Sequence, residues 1–314
     1  MSIPLKHHFV PSFFLERWVA HDGNLIQFSR PFGPELKSKP VHPNATAFEL
    51  RLYSIGGLSD DLAQEVETEF FSLVDDQASE ALLRLEKGES LQGKPRSAWA
   101  KFLFTLMTRM PSDIRQYKHI SDQLAEHVLP KFRVFYDEYK TASETRDFDE
   151  LVKEVAANFT NRSILKMRSI MNNRRHIDAF SSFEWTVIDT SSARHELLTS
   201  DRPIIHTNGF GHAHSHIVLP IGPRKVFLAA KDKQTIQGIK SQKSNDVVKM
   251  INEKIVGNAE MYVFGRNVSQ FGFIKKHIGT DNAPSVLDMM KSVFEGGLEK
   301  FDDINFADIS IKDD

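Results

Sequence analysis

Two blocks far apart in the chain carry the side chains best suited to chemistry. The first is His7-His8-Phe9-Val10-Pro11, with Phe13-Phe14-Leu15 and Trp18 close behind; the second is Leu197-Leu198-Thr199-Ser200-Asp201-Arg202-Pro203. An imidazole serves as a general base or a metal ligand near neutral pH. In a strand His7 and His8 point to opposite faces, so only one of them faces a given site and the other fixes its neighbour or caps a backbone group. A strand-end pair without chemistry is the plainer alternative. Asp201 follows an apolar strand, whose end can present a carboxylate. Ser-Asp before Arg-Pro is also turn grammar, in which the carboxylate accepts backbone amides nearby. Both readings of Asp201 stand at this level.

Two more candidates come from helical segments. If 59–87 is one α-helix, Glu69 lies about 20° from Leu62 on the wheel and Asp76 about 40°. Both border the apolar stripe of Leu62, Val66, Phe70, Leu73 and Ala81. Glu67, Glu69, Asp75 and Asp76 compete there, with Glu69 preferred as a carboxylate that binds a divalent ion or orients a histidine. Pairing with a neighbouring lysine is the alternative. Arg109 ends the next helix before Met110-Pro111. Its guanidinium fork suits a phosphate or carboxylate clamp, or equally a helix C-cap.

Residues 155–177 hold Arg162, Lys166, Arg168, Arg174 and Arg175 and no acid, a basic patch suited to a nucleic-acid backbone, or a solvated helix face. His212, His214 and His216 alternate, so a strand would place all three on one face in a geometry suited to Zn²⁺ or Ni²⁺; the neighbouring glycines favour a loop.

These groups need elements to hold them. The Asn24–Phe28 alternation reads as a strand, and prolines at 31, 34, 40 and 43 mark an extended loop. Helices are expected over 59–87, from Pro95 to Met110, over 112–139 with an interruption at Pro130, and over 148–178. Beyond Ser181 short strands dominate: Trp185–Ile188, Ile217–Pro220, Val226–Leu228 and Met261–Phe264, with helices at 245–257 and 283–299 and an acidic tail after them. The expected class is α+β: a central helical bundle packed with an N-terminal β segment and a C-terminal, mainly antiparallel sheet. Residues 1–180 and 181–314 form its two parts in one continuous domain.

Composition narrows the function. The chain has 314 residues, 40% hydrophobic and 26% charged, with net charge −2, so no global field drives it toward nucleic acid. The absence of cysteine excludes disulfides, thiol nucleophiles and Cys-ligated zinc. No signal-peptide core opens the sequence, and the Ala98–Met107 run is too short to span a bilayer; a soluble cytoplasmic protein without membrane partners is expected. No phosphate-binding glycine loop, dinucleotide fingerprint, nucleophile elbow or His-Glu-x-x-His is present.

The two blocks resemble an uncharacterised bacterial family of unknown function, whose members open with His-His-aromatic-Val-Pro and carry Thr-Ser-Asp-x-Pro much later. Arg109 before a proline and Gly257-Asn258-Ala259-Glu260 add weaker likeness. Ser12 departs from the family's polar amide, and Phe13-Phe14 from its aromatic-tyrosine pair; neither removes an ionisable group. Members resembling this family are associated with single-gene defence against phages. The resemblance and the residues together imply a defence effector that is a metal-dependent nuclease, a phosphodiester hydrolase acting on RNA or DNA. His7 or His8 would be base or metal ligand, Asp201 with Glu69 would hold a divalent metal ion or orient the histidine, and Arg109 would stabilise phosphate charge. The alternative is a non-enzymatic sensor or interaction module that binds a phage protein or a nucleotide, with the two blocks latching the N-terminal segment to the C-terminal sheet.

Overall fold

The computed structural model describes residues 6–52, 66–141, 145–161, 168–169, 171–207, 211–281, 284–286 and 288. The N-terminal segment is a small antiparallel pair, β1 (Lys6–His8) with β4 (Phe48–Leu50), in register His7 to Glu49. Between them lie α1 (Ser12–Leu15), β2 (Leu25–Ser29) and β3 (Lys37–Val41). Ala47 adopts a left-handed φ of 52°, a conformation that costs a non-glycine residue free energy. Its carbonyl accepts the amides of Phe9 at 2.9 Å and Val10 at 3.4 Å, which anchors the chain just after the histidine pair.

The middle of the chain is helical, as its apolar spacing predicts. It comprises α2 (Ser72–Glu86), α3 (Gly93–Leu106), α4 (Pro111–Val128), α5 (Arg133–Tyr139), α6 (Phe148–Asn161) and α7 (Arg174–Ser181). Pro111 sits at the first position of α4, where its missing N–H costs nothing. The break at Pro130 is a short 3₁₀ turn, Leu129–Phe132. Two expectations are corrected. The segment before α2 is π-helical over Val66–Phe71, and the extra residue per turn shifts the wheel computed for a regular α-helix. Leu73 is therefore exposed, while Phe70, Phe71, Val74, Ala78 and Leu82 are buried. The helix expected over 148–178 is also broken, because the Asn173 side chain accepts the Arg175 amide at 2.9 Å and caps a new helix, α7.

The C-terminal part holds β5 (Glu184–Asp189), β6 (Thr199–Ser200), β7 (Ile205–Thr207), β8 (His216–Gly222), β9 (Lys225–Ala230) and β10 (Val263–Gly265), with α8 (Lys233–Lys240), α9 (Ser244–Gly257) and α10 (Phe271–His277). Two four-stranded antiparallel sheets form, in the orders β3-β2-β10-β6 and β5-β9-β8-β7. Alternation along β8 and β9 sends Ile217, Leu219, Phe227 and Ala229 into the core shared with the bundle. Val218, Val226, Leu228 and Ala230 face α8 and α9 on the other side. The first sheet mixes β2 and β3 with β6 and β10, so N-terminal and C-terminal segments share one hydrogen-bonded layer. The fold is α+β, as expected. No helix among the described residues is long and apolar enough to cross a membrane.

Candidate functional site

The N-terminal and Thr-Ser-Asp blocks meet in space through packing and backbone. Phe9 stacks on Tyr262 at 6.4 Å between ring centroids, and the Trp18 indole donates to the Leu197 carbonyl at 2.8 Å. Thr199 and Ser200 pair with Phe264 and Val263. Asp201, fully buried, accepts three backbone amides: Glu260 at 3.0 Å, Met261 at 2.5 Å and Tyr262 at 2.9 Å. Burial pushes its carboxyl up to about 6, against the pull of those three amides. Each carboxylate oxygen is spent on main chain, so Asp201 positions the 260–262 segment.

What it positions is a charged network. Arg202 donates from Nε to Glu260 at 2.5 Å and from Nη2 to the buried Asp113 at 2.9 Å and the Ser112 hydroxyl at 3.1 Å. The Ser112 hydroxyl in turn donates to Glu260 at 2.8 Å. Burial raises the Asp113 carboxyl to about 6, with the Arg202 charge opposing. A pocket of about 400 Å³ opens beside this network, lined by Arg202, Ile204, His206, Asn258, Glu260 and Asp288 among others. Among the described residues, the buried Asn258 side-chain oxygen has no hydrogen-bond partner.

A second cluster forms around Arg109. Helix α3 ends at Leu106, so Arg109 lies past its last turn and does not cap it. The guanidinium is fully buried and donates from Nη1 to Asp75 at 3.0 and 3.3 Å. Its Nε and Nη2 are buried with no hydrogen-bond partner among the described residues. Phe71 and Phe102 lie 6.0 and 5.7 Å from its central carbon. Burial raises the Asp75 carboxyl, with Arg109 opposing. The ring of His8 feels the charge of Arg109; burial first, then that charge, lower its affinity for a proton, while the backbone at Asn44 opposes them. Among the described residues, the buried His8 Nε2 has no hydrogen-bond partner. His7, on the opposite face of β1, is buried more deeply.

The other expected residues are scattered. Asp75 meets Arg109; the Glu69 backbone lies in the π-helical turn and its side chain falls outside the described residues. Arg162 and Lys166 also fall outside them. Arg168 is separated from Arg174 and Arg175 by the Asn172–Asn173 break. His212 and His214 sit in turns rather than on a strand, and only His216 begins β8. The His214 amide donates to the His212 ring at 3.1 Å, and His216 Nδ1 bonds the Thr207 hydroxyl at 2.8 Å. Among the described residues no three of His, Cys, Asp or Glu gather to hold a metal ion.

The profile of a family described as protein of unknown function (DUF4238) matches residues 6–269. The chain belongs to the DUF4238 family. No curated protein and no solved structure matches it. The matched span of this DUF4238 member contains His8, Asp75, Arg109, Asp113, Asp201, Arg202 and Glu260, so both clusters lie inside the family domain. Sequence reasoning missed Asp113 and Arg202. An acid in the first turn of a helix is ordinary, and Arg202 occupies the variable place of its block.

Proposed function

We propose that the chain is an effector of bacterial defence against phages that cleaves RNA, with His8, Arg109 and Asp75 as its chemical centre. One observation carries this reading: among the described residues, Nε and Nη2 of the fully buried Arg109 have no hydrogen-bond partner, and neither has Nε2 of His8, whose ring feels the Arg109 charge. Buried polar groups are nearly always paired, and each exception calls for an explanation. An anion between Arg109 and His8 supplies one. The neutral His8 tautomer with its lone pair on Nε2 can accept a proton there. In RNA that proton comes from the 2′-hydroxyl. The 2′-oxygen forms a bond to phosphorus, the bond from phosphorus to the 5′-oxygen breaks, and His8 returns the proton to that leaving oxygen. Arg109 meets the charge that develops on the phosphoryl oxygens. Asp75 holds Arg109 by its third donor group. The defence role rests on the likeness of the two blocks to family members associated with phage resistance.

The test pairs His8→Ala with Arg109→Lys in a phage plaquing assay and in cleavage of labelled single-stranded RNA by purified protein. Both variants should lose protection, with cleavage reduced at least about a hundredfold. Variants that protect and cut like wild type would overturn the assignment.

A second reading is favoured by the latch and the pocket beside Arg202. In it the chain is a sensor that binds a nucleotide there, and the blocks are architecture. It predicts that His8→Ala lowers the melting temperature sharply and that the purified chain cuts no RNA.

A further inference from the structure

The outer face of the sheet β5-β9-β8-β7 packs under α8 and α9, and its apolar layer does not close. Strand register sets Ile188 beside Val226, and Leu228, Val218 and Ile205 in one row on the same face. Val218, Val226 and Leu228 are buried there, but Ile188, Ile205 and, from α8, Ile239 stay partly exposed. These six residues line one cavity of about 130 Å³, to which α9 adds Met250 and Ile251. Met250 is 40% exposed and marks the side from which the cavity is entered.

The polar side chains on its wall are Thr207, His216 and Lys254, and each is engaged. The Thr207 hydroxyl and His216 Nδ1 share a hydrogen bond at 2.8 Å, and the Lys254 ammonium meets Asp281 at 2.7 Å. A water molecule needs about two to four polar partners to settle in such a space, more than these walls have to spare. A charged ligand would lose its hydration and gain no counter-charge, because Lys254 is already paired. An apolar molecule has neither cost, and it supplies the dispersion contacts that walls facing a gap lack. Apolar cavities of about 150 Å³ accept benzene, which is close to this size.

We propose that this cavity is a binding site for a small uncharged apolar molecule, the size of one aromatic ring. The core shared with the helical bundle lies on the other face of the sheet, so the site stands or falls apart from the chemistry proposed at His8 and Arg109.

The test is a titration of the full-length, methyl-labelled protein with benzene, followed by NMR. Benzoate, a charged ring of the same shape, and the variant Val226→Phe, which fills the cavity, serve as comparisons. Benzene should shift the methyl signals of the lining residues saturably and raise the melting temperature of wild type. Benzoate should do neither, and Val226→Phe should bind benzene at least about tenfold more weakly. If the spectra show Val226→Phe unfolded, Ile239→Phe narrows the same space from α8 and takes its place. His8→Ala should bind benzene like wild type. The proposal is overturned by wild type that shows no saturable shift, by benzoate that binds as well as benzene, or by a folded filling variant that binds like wild type. Shifts that spread over the surface and never saturate overturn it equally.

Discussion

At the residue scale, a side chain's role here is decided by whether its polar atoms are spent. Asp201 has the sequence signature of a functional carboxylate, yet three amides occupy it. Asp201→Asn replaces an acceptor by a donor that faces two of those amides, and should cost about 3 kcal/mol in urea unfolding. The folded carboxyl stands at about 6 against 3.8. Its contribution to stability is therefore fully present below pH 3.8 and lost as pH rises through about 6. Lowering the pH from 7.5 toward 5 should raise the melting temperature of wild type relative to Asp201→Asn. A constant difference between the two would contradict this. For His8 the sign is opposite in consequence. Its proton affinity lies below the usual 6.5, so a base of this kind is competent at neutral pH. Cleavage should be flat above pH 6.5 and fall below it, and a rate that rises on acidification would exclude His8 as the base.

At the scale of elements, the start of α4 joins the two parts of the site. Pro111 starts the helix, and the next two residues, Ser112 and Asp113, turn toward Arg202. Arg202→Gln would leave Asp113 buried without its cation and should destabilise the fold by about 3 kcal/mol; an unchanged urea midpoint would show that the network carries no stability. Trp18→Phe keeps an aromatic ring but removes the bond to the Leu197 carbonyl and leaves a cavity in the fully buried site, with an expected loss of about 2 to 4 kcal/mol. Much of this level was legible in the sequence. The strand at Asn24–Phe28, the break at Pro130 and the helix that starts near Pro95 follow from periodicity and proline. The π-helical turn before α2 did not, because one extra residue leaves no local signature. It is the reason that Asp75 faces Arg109 although Glu69 and Asp76 border the stripe of an ideal wheel.

At the scale of the whole molecule, one buried cluster runs from Phe9 through the bundle to Phe264 and Val286. The expectation of a single continuous domain then takes a testable form: calorimetry should show one transition, and two separated transitions would divide the chain near residue 180. Here the sequence was least informative. Which face of β1 each of two adjacent histidines takes depends on the pairing of β1 with a strand some forty residues away. That Asp201 closes on backbone depends on the return of the chain at 260–262. Neither partner is near in sequence, so neither could be read from spacing.

The most direct test of the account is the rate at which purified protein cuts labelled single-stranded RNA, wild type beside His8→Ala, with melting curves on both. The account predicts cleavage by wild type, at least about a hundredfold less by the variant, and closely similar melting temperatures. Equal cleavage by both proteins, or none by wild type together with a sharp drop in the variant's melting temperature, would contradict it and leave His8 a part of the latch.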